Sequence, residues 1–180
     1  LSRGLGDVYN RQMIGHPGKK LLFMGQDFGQ YQEWSEEREL DWYLLGEQNH
    51  QQLQNYVKEL LKMYKKYPAL YANDSNYQGL EWINADDASR SIYSFVRWSP
   101  TGRNNLLFVI NYTPVARDDY RVGVPKRKQY KLILNSKEPE FGGDVHKEVV
   151  DYKAVKKECD GRPFSFAYPL PAYGVAVFRF

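Results

Sequence analysis

The segment KKLLFMGQDFGQYQEW, residues Lys19–Trp34, decides how the first part of the chain is expected to fold. Leu21–Gly25 is a short apolar run that ends in a glycine, a pattern typical of a fully buried strand. The preceding Pro17-Gly18 pair marks a turn into this strand. The chain then becomes polar, acidic and aromatic at once over Gln26–Trp34. This change predicts a buried strand that opens into the rim of a site.

A long helical pattern follows between Asn49 and Pro68. Apolar side chains recur on one face at helical spacing; they are Leu53, Val57, Leu60, Leu61 and Tyr64. Asn49 is predicted to cap the start of this helix, lysines collect in its last turn, and Pro68 stops it. Strand, loop and helix form one α/β unit, which needs neighbouring strands to cover it.

After Pro68 the pattern changes to short runs rich in Val, Ile, Tyr and Phe, separated by turn residues. Nine strands are predicted, at Leu80–Asn84, Ser91–Trp98, Asn105–Tyr112, Tyr120–Val124, Tyr130–Asn135, Lys147–Tyr152, Val155–Cys159, Phe164–Leu170 and Gly174–Phe180. Short strands at this spacing indicate an antiparallel sandwich. The polar stretch Tyr71–Gln78 is predicted to be a linker.

Composition narrows the class of protein. The chain has 180 residues and a net charge of +3, which suits one domain or a small domain with part of another. The basic run Lys126–Lys128 is predicted to be a solvated turn, so no nucleic-acid partner is expected. No apolar run approaches the ~20 residues of a membrane span. Cys159 is the single cysteine, which favours a reducing compartment, and Leu1 in place of Met suggests a segment of a longer chain.

Motifs for self-contained chemistry are weak. The three histidines, His16, His50 and His146, are far apart, so no metal site is predicted, and no cofactor loop is recognisable. Carboxylates cluster in EWSEERELDW, residues 33–42, and paired carboxylates perform glycoside chemistry. The alternative is a charged surface loop with ion pairs around Arg38. Aromatic residues make up 16% of the chain, which suits either sugar binding or packing of β-strands.

Three longer stretches carry a resemblance to a known family. They are HPGKKLLFMGQDFGQYQEWSEERELDWYLL, GLEWINADDASRSIYSFVR and NYTPVARDDYRVGVP. They resemble, in order, the C-terminal part of bacterial glycogen branching enzymes of the α-amylase superfamily. The resemblance implies a mainly β fold, with a C-terminal antiparallel β-sandwich preceded by the last β/α portion of a (β/α)8 barrel. Residues 1–74 would be the barrel remnant and residues 75–180 the all-β domain.

The resemblance also implies where glucan would bind. Residues just beyond the carboxyl end of a barrel strand face the active site. The predicted glucan contacts at this rim are Gln26, Asp27, Gln30 and Trp34, and the resemblance implies a separate contact on the barrel surface at Asp7 and Tyr9. Trp34 is expected either to stack on a sugar or to anchor its loop, and Tyr9 either to stack on a sugar or to pack on its neighbours. The family's catalytic carboxylates lie on earlier strands, so no catalytic residue is predicted in this chain.

In this family the full enzyme cleaves α-1,4 links and transfers the glucan chain to a 6-hydroxyl during glycogen synthesis. The resemblance thus implies a cytoplasmic protein whose partners are α-glucan and the remaining domains of the enzyme. The chain alone is expected to be inactive and to be able to dimerise through an exposed barrel remnant, including the apolar helix face. The alternatives are a stand-alone carbohydrate-binding sandwich, or the end of a debranching or maltose-forming enzyme; Leu21–Gly25 argues against the stand-alone sandwich.

Overall fold

The structure, a computed structural model, describes residues 13–146 and 149–180. Its eight strands are β1 (Leu80–Asn84), β2 (Ile92–Arg97), β3 (Leu106–Asn111), β4 (Arg117–Val124), β5 (Gln129–Asn135), β6 (Asp151–Lys153), β7 (Phe164–Leu170) and β8 (Val175–Arg179). One long helix, α1 (Gln48–Lys66), precedes them, and short 3₁₀ helices lie at Trp42–Gly46, Pro68–Leu70, Tyr77–Gly79 and Pro139–Phe141. The mainly β fold class is confirmed.

Helix α1 lies where the sequence predicts it, but its first turn differs. The residue at the N-cap position is Glu47, whose side chain makes no capping hydrogen bond. The predicted cap by Asn49 is wrong, because Asn49 already lies inside the first turn. Lys65 and Lys66 occupy the last turn, where positive charge interacts favourably with the helix dipole. The helix ends just before Pro68, as predicted.

The buried face of α1 is rotated relative to the predicted one. The buried side chains are His50, Tyr56, Val57, Leu60 and Met63. Leu61, by contrast, is 38% exposed. Three residues outside the aliphatic pattern therefore complete the face: Tyr56 and Met63 lie in the core shared with the sheet, and His50 contacts the loop at Phe28 and Tyr31.

Two antiparallel sheets form the β part. The larger has six strands in the order β1-β2-β3-β8-β5-β6, and the smaller pairs β4 with β7. Helix α1 packs on one face of the large sheet, in a core that includes Tyr56, Leu60, Phe108 and Val177. The small sheet covers the other face. All six residues of β3 are buried, because both faces of this central strand are covered.

The predicted buried strand at Leu21–Gly25 is wrong for this structure. Residues 19–23 have no regular structure, and residues 24–29 form turns. Leu21 is 72% exposed, and Phe23 and Met24 are each 48% exposed. A strand is stable only when a neighbouring strand pairs with its backbone and another layer covers its side chains. None of the described strands pairs with this run, so an apolar sequence alone does not form the strand.

The two weakest predicted strands also differ from the structure. Lys147–Tyr152 is reduced to the short β6, and Lys147 lies outside the described residues. Val155–Cys159 is not a strand: Val155 makes one isolated bridge to Ser165, and Cys159 pairs with Arg162. The Asp160-Gly161 pair between them has positive φ at both residues, as a tight two-residue hairpin requires. These two isolated bridges do not form a continuous ladder.

A fully buried arginine joins the predicted linker to both neighbouring parts. Arg97 donates to the carbonyls of Gly79 and Gly15, at 3.0 and 2.7 Å, and pairs with the carboxylate of Asp74. The stretch that includes Asp74 is thereby fixed to the sheet. Because α1 also packs on that sheet, the predicted exposed apolar helix face is wrong. The helix and the sheet share one core, and the linker is fixed to the sheet through Asp74.

Candidate functional site

The predicted rim loop has a defined structure, which two glycines make possible. Gly25 and Gly29 adopt φ values of +79° and +72°, a region that glycine enters without strain. The carbonyl of Gly25 accepts hydrogen bonds from the backbone N–H groups of Phe28 and Gln30, at 3.3 and 3.1 Å. Residues 25–30 therefore form a compact turn rather than an extended lead from a strand.

His50 of α1 holds this turn in place. Its Nδ1 lies 2.7 Å from the carbonyl oxygen of Phe28, and its Nε2 lies 3.1 Å from the Tyr31 hydroxyl. A carbonyl only accepts, so Nδ1 carries the proton, and in the neutral ring Nε2 accepts from Tyr31. Phe28 is fully buried, and its ring contacts that of Trp42 at 5.4 Å. The loop is thus attached to α1 at two points, the carbonyl of Phe28 and the hydroxyl of Tyr31.

The polar side chains predicted to contact glucan also form hydrogen bonds within the protein. Gln26 accepts from the backbone N–H of Phe23 at 2.9 Å. Asp27 accepts from the amide of Gln54 on α1 at 3.1 Å. Gln30 accepts from the N–H of Asp41 at 3.0 Å and donates to the carbonyl of Gln32 at 2.8 Å. These side chains position the loop, and the oxygens of Gln26 and Asp27 retain capacity for further hydrogen bonds.

Trp34 belongs to a larger set of exposed rings. It is 39% exposed and packs edge-on against Phe23, with ring centroids 5.6 Å apart. We call the exposed rings of this segment the 23–43 aromatic group; its members are Phe23, Tyr31, Trp34, Trp42 and Tyr43. Sequence reasoning singled out only Trp34. The available signal was the recurrence of aromatic residues in QYQEW and LDWY.

The acidic stretch 33–42 forms an exposed loop with local contacts. The Arg38 guanidinium donates to the side-chain oxygen of Gln32 and the carbonyl of Glu33. It also lies 4.0 Å from a carboxylate oxygen of Asp41. These contacts match the alternative of a charged loop organised around Arg38. Over residues 13–146 and 149–180, no three His, Cys, Asp or Glu side chains cluster as metal ligands would.

Two predicted contacts, Asp7 and Tyr9, lie outside the described residues. The remaining four, Gln26, Asp27, Gln30 and Trp34, lie within ten residues of one another on the loop that α1 supports. Among the described helices, none is both long and apolar enough to cross a membrane.

A two-layer antiparallel sandwich with a helix on its outer face defines a mainly β domain. The chain belongs to the family of the alpha-amylase C-terminal all-beta domain, whose model matches residues 82–180. It is 51% identical over 168 residues to a 1,4-alpha-glucan branching enzyme of Butyrivibrio fibrisolvens, which covers 93% of this chain and 26% of that protein. It is 41% identical over 172 residues to the corresponding enzyme of Pseudomonas putida, over 96% of this chain and 23% of that protein.

The chain thus spans about a quarter of the length of these curated relatives. The crystal structure of a maltogenic amylase from S. marinus matches 99% of this chain and 19% of its own, with a TM-score of 0.55 and 14% identity. That similarity concerns the fold alone. Together these matches confirm the resemblance to branching enzymes and the all-β fold inferred from the sequence.

Proposed function

We propose that this chain is the carboxyl-terminal part of an enzyme that branches α-1,4-glucans. The observation that carries the proposal is 51% identity over 93% of the chain to a 1,4-alpha-glucan branching enzyme. The whole enzyme would cleave an α-1,4 link and transfer the released glucan chain to a 6-hydroxyl of an acceptor glucan. A cytoplasmic location and a role in glycogen synthesis follow from the same proposal.

The chemistry would be supplied by residues beyond this chain. A retaining transfer needs a carboxylate nucleophile and a carboxylic acid placed on opposite sides of the scissile bond. Of the carboxylates near the loop, Asp27 accepts from Gln54, and Asp41 lies beside Arg38. Glu33 is exposed on the acidic loop. None of the three pairs with another carboxylate across a cleft, which supports an inactive isolated chain.

Within the whole enzyme, the loop 25–34 and the 23–43 aromatic group would contact glucan. Exposed indole and phenol rings offer apolar faces to sugar rings and polar edges to their hydroxyls. The exposed side chains of Leu21 and Met24, which lie outside that group, have a different role in this proposal. Contiguous exposed apolar surface marks an interaction site, and we assign it to contact with the remaining part of the enzyme or, in the isolated chain, with a second copy.

A domain exchange tests the proposal. The quarter of the Butyrivibrio fibrisolvens enzyme that matches this chain would be replaced by it, and new α-1,6 links would be measured on amylose. We expect activity within about tenfold of the parent enzyme. The control exchange inserts the corresponding segment of the maltogenic amylase, which shares the fold at 14% identity. A folded, inactive chimera that behaves like this control would contradict the proposal.

The isolated chain provides a second test. Incubated with amylose, it should produce no new α-1,6 links above a heat-killed control. A second candidate function, a stand-alone glucan-binding module, is favoured by the two cores that the chain closes with its own residues. If the chain is such a module, the isolated chain should be retained on glycogen, and the chimera should have no branching activity. The two functions therefore give opposite results in the exchange.

A further inference from the structure

A cavity lies beside strand β4, in a part of the sequence far from the loop 25–34. It has a volume of about 250 Å³. Its lining residues are Arg90, Arg117, Asp119, Tyr120, Arg121 and Cys159. The pairing of β4 with β7 shifts register between Arg117 and Tyr120, which marks an irregularity of the bulge type. Such irregularities redirect side chains, and here consecutive residues of one strand line the same cavity.

Arg90 belongs to the frame of this cavity. Its guanidinium donates to Asp160 at 2.9 Å and also pairs with Asp87. It lies over the ring of Tyr120, 5.8 Å from the centroid. Two carboxylates therefore neutralise Arg90, and its role is to fix the Asp160 turn and the Tyr120 ring.

Arg117 and Arg121 have no such compensation. The Arg121 guanidinium donates to the neutral hydroxyl of Ser165 at 3.2 Å. The Nε of Arg117 is buried and has no hydrogen-bond partner among the described residues. For neither arginine does any carboxylate of residues 13–146 or 149–180 form an ion pair. Both arginines thus line the cavity without a carboxylate partner, an arrangement that suits the oxygens of a phosphate or carboxylate.

Tyr120 forms part of the wall of the cavity. It is only 6% exposed, solvent does not reach its hydroxyl, and the Arg90 guanidinium lies over its ring. Tyr120 therefore contributes shape to the site rather than a hydrogen-bond donor.

We propose that this cavity binds a small phosphorylated polyol of the size of a sugar phosphate. Arg117 and Arg121 donate to the phosphate oxygens. The exposed carboxylate of Asp119 accepts from a hydroxyl of the ligand and disfavours bare inorganic phosphate. The cavity volume of about 250 Å³ accommodates a single sugar-sized unit.

Titration calorimetry on the 180-residue chain tests this site, with glucose 6-phosphate, inorganic phosphate and glucose as probes. We expect glucose 6-phosphate to bind at least about tenfold more tightly than either of the others, since charge-assisted hydrogen bonds and the hydroxyl contact both contribute. The double variant Arg117→Gln/Arg121→Gln should lower its affinity by about tenfold or more. Arg127→Gln, an exposed arginine in the β4–β5 turn, is the matched control and should leave the affinity unchanged.

The melting temperatures of the double variant and of Arg127→Gln, compared with that of the parent chain, separate loss of binding from loss of folding. Absence of binding at about 10 mM glucose 6-phosphate, equal affinity for glucose, or an equal loss in Arg127→Gln would each overturn the proposal.

Discussion

Replacing Arg97 by Met should destabilise the chain more than any surface substitution. Arg97 is completely buried at the end of β2, and its guanidinium binds the carbonyls of Gly15 and Gly79 and the carboxylate of Asp74. Burial lowers the pKa of this guanidinium, while hydrogen bonding to Asp74 and its charge work against the shift. Met retains much of the side-chain volume, so the test concerns the polar contacts rather than a cavity.

The structure sets the expected magnitude. Removing one partner of a buried ion pair costs about 3–5 kcal/mol, because the remaining charge is left without compensation. Asp74 is itself partly exposed, with 20% of its side chain accessible, so water moderates that cost. Each of the two carbonyls left without its donor adds roughly 1 kcal/mol or more. We expect a total loss of about 3–5 kcal/mol in the free energy of unfolding.

Urea unfolding followed by fluorescence measures this loss. At a slope of about 2 kcal/mol/M, the midpoint should fall by roughly 1.5–2.5 M with the slope unchanged. Asp74→Asn retains an acceptor for Arg97 and should cost less. In the double variant the two losses should be less than additive, because both remove the same interaction. A midpoint for Arg97→Met within about 0.5 M of the parent chain would refute this account of the clamp.

Three further predictions concern pH, the loop and local order. Burial, and then the nearby Arg97 charge, lower the pKa of His16 below 6.5. The contribution of His16 to stability should therefore be complete above pH 6.5 and fall as the pH drops below that value. His16→Asn should flatten this pH dependence in thermal unfolding measured between pH 5 and 7.5. Trp34→Ala should weaken binding of linear α-glucan to the whole enzyme by roughly 1–3 kcal/mol. The melting temperature should change little, because the main ring contact of Trp34 is with one exposed phenylalanine. A melting temperature several degrees lower, with activity lost only in proportion to unfolded protein, would instead make Trp34 a loop anchor. Hydrogen exchange should be faster at residues 21–24 than at residues 106–110, and the reverse order in a monomer would contradict the fold described above.

Most of the β part was predictable because its strands alternate or form long apolar runs. The predicted Leu80–Asn84 and Phe164–Leu170 match β1 and β7 at both ends, and the runs around β2, β3 and β8 differ by one residue at each end. Leu21–Gly25 fails for a physical reason: an apolar run specifies burial, but pairing depends on strands elsewhere. A buried Arg97 at the end of β2 was likewise unpredictable, since its partners come from three separate segments.

The candidate sites show the same limit. Sequence order brought Gln26, Asp27, Gln30 and Trp34 together because they are neighbours in the chain. It did not reveal that His50, two helical turns before Val57, would hold their loop through Phe28 and Tyr31. The cavity beside β4 was missed because an irregularity in strand pairing, and not a motif, places Arg117 beside Tyr120.

The path from the loop to the sandwich explains why an accessory domain would matter to an enzyme of this kind. The loop is hydrogen-bonded to His50, and His50 shares α1 with Tyr56. The ring of Tyr56 packs edge-on against Phe141 at 5.1 Å, and both lie in the core on one face of the large sheet. Because packed cores resist deformation, the sheet fixes the helix and the helix fixes the loop. The all-β domain therefore helps to hold the 23–43 aromatic group in place, although that group lies outside its strands.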